Sequence, residues 1–211
     1  MEITWLGHSS FLIEDSSGRK ILTDPFDETV GYDVYRGKPD IITISHHHFD
    51  HDYVALMPQS VQKLDSPGLF DFDGIKITGI PSFHDKSKGS KRGKNTIFII
   101  EADGYRICHL GDLGYVLSAS EIESLGKIDV LMIPVGGVFT IDAAEAEVLS
   151  KAIGSRIILP MHYKTPALNF ELSGVEPFLS RMEDAEKTDS NKITLHGVLK
   201  GSSQVKVLKY K

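Results

Sequence analysis

The chain has 211 residues, 41% hydrophobic and 25% charged, which is the composition of one globular domain over residues 1–211 and excludes extended disorder. A formal charge of −6 opposes a general nucleic-acid-binding surface, and no run approaches the roughly 20 apolar residues of a membrane span. A single cysteine, Cys108, excludes an internal disulfide; its apolar surroundings predict a buried thiol and, with the absence of a leader-like N-terminus, a cytoplasmic location.

Apolar runs predict strands at Ile3 to Leu6, Ser10 to Glu14, Lys20 to Thr23, Ile41 to Ile44, Ile75 to Ile80, Thr96 to Ala102 and Arg106 to Leu110. Asp15-Ser16-Ser17-Gly18 and Ala102-Asp103-Gly104 read as hairpin turns. The rhythm then changes. Val130 to Val135 reads as a strand, Asp142 to Ile153 as a helix capped by Asp142 and closed by Gly154, and Arg156 to Pro160 as a strand. Strand, helix, strand implies a parallel crossover, so the class is α/β (α+β). A further helix is expected over Phe178 to Lys187. Ile193 to Leu199 and Val205 to Tyr210 read as a closing hairpin across Lys200-Gly201-Ser202-Ser203.

The most informative run is His46-His47-His48-Phe49-Asp50-His51, which carries the spacing H-x-H-x-D-H. Each buried polar group without a partner costs about 1–3 kcal/mol, so four such side chains in six residues have little place in a core unless a cation joins them. The run follows an apolar strand, which separates it from an expression tag. Other polar residues repeat the arrangement: Asp24, His84, Asp112 and His162 each fall just past the end of an apolar strand. Strand ends at one sheet edge are neighbours, so five segments can converge on one pocket.

Together with Gly7-His8-Ser9, Thr23-Asp24-Pro25-Phe26, Ser82-Phe83-His84, Gly111-Asp112 and Pro160-Met161-His162-Tyr163, this run resembles the metallo-β-lactamase superfamily. Trp5-Leu6-Gly7-His8-Ser9 and Phe139-Thr140 are similar to its small hydrolase branch that includes ascorbate-6-phosphate lactonase. The resemblance implies a four-layer αββα sandwich, two mixed sheets with helices outside. It implies two divalent ions, with His46, His48 and His84 on the first, Asp50, His51 and His162 on the second, Asp112 bridging, and Asp24 orienting the ligands from behind. Zn²⁺ suits this donor set best, with Mn²⁺ or Fe²⁺ as alternatives, and the lack of Cys ligands opposes a closed structural zinc. Two such ions lower the pKa of a shared water towards ~7, which supplies a bridging hydroxide as nucleophile. Asp50 or a bound water is then expected to return a proton, and Asp50 and Asp112 are the expected catalytic pair.

The expected function is hydrolysis of a small ester, lactone or phosphate-bearing metabolite. The alternatives are a phosphodiesterase, including one directed at nucleic acid, and a metal-binding regulator without catalysis. A homo-oligomer is compatible with the sequence. His8 can reach the pocket or serve structure; His47 should point away between two ligands, His109 should be a satisfied core histidine, and His196 a surface residue. Thr140 offers a hydroxyl to the pocket wall. Residues 86–95 hold five cations, and Lys88, Lys91 and Arg92 are expected to act as a flap for an anionic substrate, against the plainer reading of a solvated loop.

Overall fold

The computed structural model describes residues 1–210. Two mixed sheets face each other. In the first, β1 (Glu2–Gly7), β2 (Ser10–Glu14) and β3 (Lys20–Thr23) run antiparallel, and β4 (Ile41–Thr43) and β5 (Gln62–Leu64) continue parallel to β3. In the second, β6 (Gly68–Phe72), β7 (Ile75–Phe83), β8 (Lys94–Ala102) and β9 (Tyr105–His109) form an antiparallel meander. Parallel strands extend it: β10 (Val130–Pro134), β11 (Ile157–Met161), and then two late strands described below.

Side-chain alternation explains the stacking. Ile3, Trp5, Phe11, Ile13 and Ile21 from the first sheet share one buried cluster with Ile75, Ile77, Ile97, Ile99 and Ile107 from the second. Every residue of β10 and β11 is buried, because the second face of these strands is also covered. The helices are α1 (Ala119–Leu125), α2 (Ala143–Ile153) and α3 (Glu176–Leu179). Asp142 caps α2 by accepting from Ala144 and Glu145 N–H, and Gly154 ends it in a left-handed conformation, both as expected. Helix α1 was not foreseen, although Ser118 and Glu121 form a capping box that announces it. The outer layer over the first sheet departs from the helical picture. There, Leu22, Ile42, Ile44 and Val61 pack under loop residues Tyr35, Val54 and Met57.

Two expectations near the C-terminus need correction. The helix expected over Phe178 to Lys187 is the short α3, which begins earlier because Pro177 fits a first helical turn. Its last residues, Ala185–Lys187, instead form β12, an exposed edge strand whose polar sequence carries no alternation signal. The closing hairpin does not exist either. β13 (Lys192–Thr194) joins β1 in the first sheet, whereas β14 (Gln204–Val207) lies between β11 and β12 in the second. The two free sheet edges compete successfully with the hairpin, because each offers a ladder to a short strand with little apolar face of its own.

Strands β3 and β4 point the same way in the first sheet; β7, β9 and β11 point the same way in the second. Their C-terminal ends meet at one edge of the sandwich.

Candidate metal centre

Asp24 follows β3 and organises the ligand run. It is fully buried in a left-handed conformation, φ 40°, which Asp tolerates better than most residues. Its Oδ1 accepts from Ser45 N–H at 2.8 Å, and its Oδ2 accepts from Ser45 Oγ at 2.6 Å and His51 Nδ1 at 2.9 Å. An ionised carboxylate only accepts, so these bonds set two tautomers. His51 must carry its proton on Nδ1, leaving the Nε2 lone pair free. Ser45 Oγ, having given its own proton to Asp24, accepts from His46 Nδ1 at 2.9 Å, which frees His46 Nε2.

Those free nitrogens converge. His46 Nε2 lies 2.9 Å from His48 Nδ1 and 3.9 Å from Asp112 Oδ2, and His84 Nε2 lies 3.2 Å from the same carboxylate oxygen. On the other side, His51 Nε2 lies 3.5 Å from Asp50 Oδ2 and 3.4 Å from Asp112 Oδ1, and His162 Nε2 is 3.1 Å from Asp112 Oδ2. His8 joins this side with Nε2 3.0 Å from Asp50 Oδ2, and its ring centroid is 4.4 Å from that of His162. The donors fall into groups that could each hold an ion: His46, His48 and His84; His8, Asp50, His51 and His162; and His46, His51 and Asp112, whose carboxylate lies between the other two.

The scaffold behind Asp112 is equally specific. Its N–H donates to Asn95 Oδ1 at 2.9 Å, and the Asn95 amide donates to Ser82 Oγ and Leu110 O. Gly111 is required there, since a Cβ would stand 2.4 Å from Asn95 Oδ1 and 2.5 Å from Ser45 Cβ. His109 is the satisfied core histidine expected: Nε2 donates to Ser9 O and Nδ1 accepts from Gly111 N–H. His8 and His162 share the left-handed region with Asp24, so three strand ends at this edge store backbone strain.

The electrostatics of the cluster fit a cation. Burial, followed by the neighbouring His162, lowers His8 to about 4, and burial with His51 lowers His46 to about 3, so both stay neutral and able to ligate at neutral pH. Burial alone would raise Asp112, but His162 and His51 hold it well below the carboxylate range. Burial likewise lowers His51, yet Asp112 and Asp50 outweigh it and raise that imidazole well above its ordinary value. The carboxylates therefore draw a positive charge to the His51 Nε2 position. His51 Nε2 and Asp112 Oδ1 are buried without hydrogen-bond partners, which a shared cation would satisfy.

A cavity of about 350 Å³ opens over Asp50, His84, Asp112 and His162, with His48, Phe49, Arg92, Phe139 and Phe170 completing its wall. A larger cavity of about 640 Å³ shares His48 and Arg92 but reaches neither carboxylate. The smaller one is therefore the candidate reaction chamber. Arg92 takes the place expected of the basic loop, while Lys88 and Lys91 stay exposed outside the wall. Thr140 is also outside it: its Oγ donates to Ile141 O, and Phe139 faces the cavity instead. His47 is exposed beside Asp52 and His196 is exposed, both as expected. Phe139 belongs to the Gly-rich segment 136–140 read from the sequence as pocket wall, whereas Phe49 and Phe170 were missed as wall residues. Phe49 sits inside the ligand run itself, where it looks like a mere spacer.

A two-sheet sandwich with a buried His/Asp cluster at one edge defines the metal-dependent hydrolase class of the metallo-β-lactamase fold. The chain belongs to the β-lactamase superfamily, whose domain model matches residues 2–162. It is 32% identical to a UPF0173 metal-dependent hydrolase of Pyrococcus furiosus, covering 78% of this chain and 85% of that protein. It is 29% identical to a UPF0173 metal-dependent hydrolase of Methanoculleus marisnigri, covering 86% and 89%. The crystal structure of a candidate Zn-dependent hydrolase of the superfamily from Thermotoga maritima superposes with a TM-score of 0.83 at 36% identity, over 100% of this chain and 99% of that one.

Proposed function

We propose that residues 1–211 form one cytoplasmic hydrolase domain that works with two divalent ions, Zn²⁺ first among them, on a small anionic ester, lactone or phosphate-bearing metabolite. The observation that carries this reading is Asp112, whose two oxygens face His46, His84 and His162 on one hand and His51 on the other. His46, His48 and His84 would hold one ion, Asp50, His51 and His162 the other, with Asp112 between them. His8 is placed to orient Asp50 or to add a donor. Bound there, the ions supply Lewis acidity and a water activated towards hydroxide.

The chain's own residues do the rest. Asp24 and Ser45 keep the imidazole lone pairs aimed inward. Asp50 lines the chamber and its Oδ2 meets His8 Nε2, so the pair is placed to relay a proton to the leaving oxygen. The phenyl rings at the mouth exclude bulk water and strengthen the interactions inside. Screening the Zn²⁺-loaded protein against lactones, carboxylic esters, thioesters, phosphomonoesters and phosphodiesters tests the reading. Turnover of an ester or lactone that is lost in Asp112→Asn supports it; turnover confined to phosphodiesters would favour the phosphodiesterase alternative.

A further inference from the structure

The mouth of the chamber has a chemistry that the metal cluster does not explain. Arg92 lies with its guanidinium carbon 4.5 Å from the centroid of Phe139, a cation–π contact that draws the group to the chamber mouth. Among the described residues it forms no ion pair, unlike Lys86 of the same loop, which pairs with Glu145. The Arg92 guanidinium is exposed at the mouth beside Phe139, where an incoming anion can reach it. Phe49 of the same cavity wall is 58% exposed although it lies between the candidate ligands His48 and Asp50, and its ring is 6.4 Å from that of Phe170. Phe170 in turn meets His8 edge-on at 5.2 Å.

Both members of the Arg92–Phe139 pair are carried by organised backbone. On one side, Val138 adopts φ 60°, an uncommon conformation for a β-branched residue, in the turn that presents Phe139. On the other, the loop bearing Arg92 wraps around Asp85, whose Oδ1 accepts from Ser87 and Gly89 N–H and whose Oδ2 accepts from Lys91 and Arg92 N–H. The loop expected to act as a flap for an anionic substrate is tied around Asp85 and carries Arg92 to the chamber mouth.

We infer that the substrate is an amphiphilic acid. Its anionic group rests on Arg92, and an apolar body lies against the Phe49–Phe170 pair, whose rings already meet edge-on, with the scissile bond over Asp50 and Asp112. This deepens the hydrolase reading and rests on the assignment of this cavity as its reaction chamber. The 350 Å³ volume suits a compact molecule, near the lower end of the roughly 300–1,000 Å³ usual for small-molecule sites.

Calorimetric titration of the Zn²⁺-loaded protein with 2-naphthoate, 2-naphthylmethanol and acetate tests it, with the zinc content of every sample measured in parallel. Naphthoate should bind more tightly than either comparison compound. Arg92→Gln should weaken naphthoate about tenfold and leave naphthylmethanol unchanged. Phe49→Ala, at an exposed position that folding does not need, should weaken both naphthyl compounds by roughly two- to tenfold and leave acetate unchanged. No naphthoate binding by the parent, or binding equal in parent and both variants, overturns the inference, and if zinc still loads the hydrolase reading survives it. Discrimination that persists in protein unable to hold zinc supports the inference and removes the hydrolase reading.

Discussion

Asp24→Asn is the most instructive single substitution, because it changes one atom and should misplace two protons. In the parent, Oδ2 of Asp24 accepts from both Ser45 Oγ and His51 Nδ1. The amide nitrogen of Asn at that position donates instead, so the His51 proton is driven to Nε2, where it occupies the lone pair that faces Asp50 and Asp112. Ser45 Oγ, no longer bound to donate to residue 24, can donate to His46 Nδ1 and push that proton to Nε2 as well. Losing an outer partner of one metal-bound imidazole usually costs 10–100-fold in affinity, about 1.4–2.7 kcal/mol. Two imidazoles depend on the same carboxylate, and coupled losses are not additive, so we expect a total near 100-fold. Competition of the protein against a chromogenic Zn²⁺ chelator measures it, with circular dichroism confirming that the near-isosteric variant is folded. Affinity within about twofold of the parent would refute the argument that Asp24 sets the tautomers.

Other consequences follow from the same structure. Asp112→Asn should lower turnover by more than the 10–100-fold typical of an outer-shell partner, and should also destabilise the metal-free fold, since four imidazoles lie within 3.9 Å of a carboxylate that is held ionised; unchanged metal-free melting would contradict this. Burial raises Cys108 and Tyr32 each to about 12, and Tyr163 is raised as well. In the unfolded chain the thiol ionises near 8.5 and phenols near 10, so above those values the unfolded state holds fewer protons and stability falls as pH rises. The unfolding free energy from urea titration should therefore decline between about pH 9 and 11, by at most ~1.4 kcal/mol per pH unit for each ionised group, and an unchanged value would contradict the burial. Asp85→Ala removes the acceptor of four backbone N–H groups, so hydrogen exchange at Ser87, Gly89, Lys91 and Arg92 should accelerate while β8 stays protected; equal protection in both proteins would show that the loop does not depend on Asp85.

The sequence made the metal cluster legible because its residues announce themselves twice, by type and by place. His46, His48, Asp50 and His51 are crowded donors, and Asp24, His84, Asp112 and His162 each end an apolar run. Local signals also located the α2 caps at Asp142 and Gly154. What stayed hidden depends on partners distant in the chain. β13 and β14 are short and weakly patterned, so their sheets are chosen by available edges rather than by their own residues. Asp85 looks like any loop carboxylate until four N–H groups are seen to close on it. Phe49 and Phe170 lie more than a hundred positions apart, so no window of sequence brings their rings together.

The number of metal ions held per chain tests the central claim most directly. Protein saturated with Zn²⁺, freed of excess metal and analysed for zinc against protein concentration should hold two ions per chain, with His84→Ala and His162→Ala each reducing the count towards one. A parent value of one or none at saturation would contradict the dinuclear account.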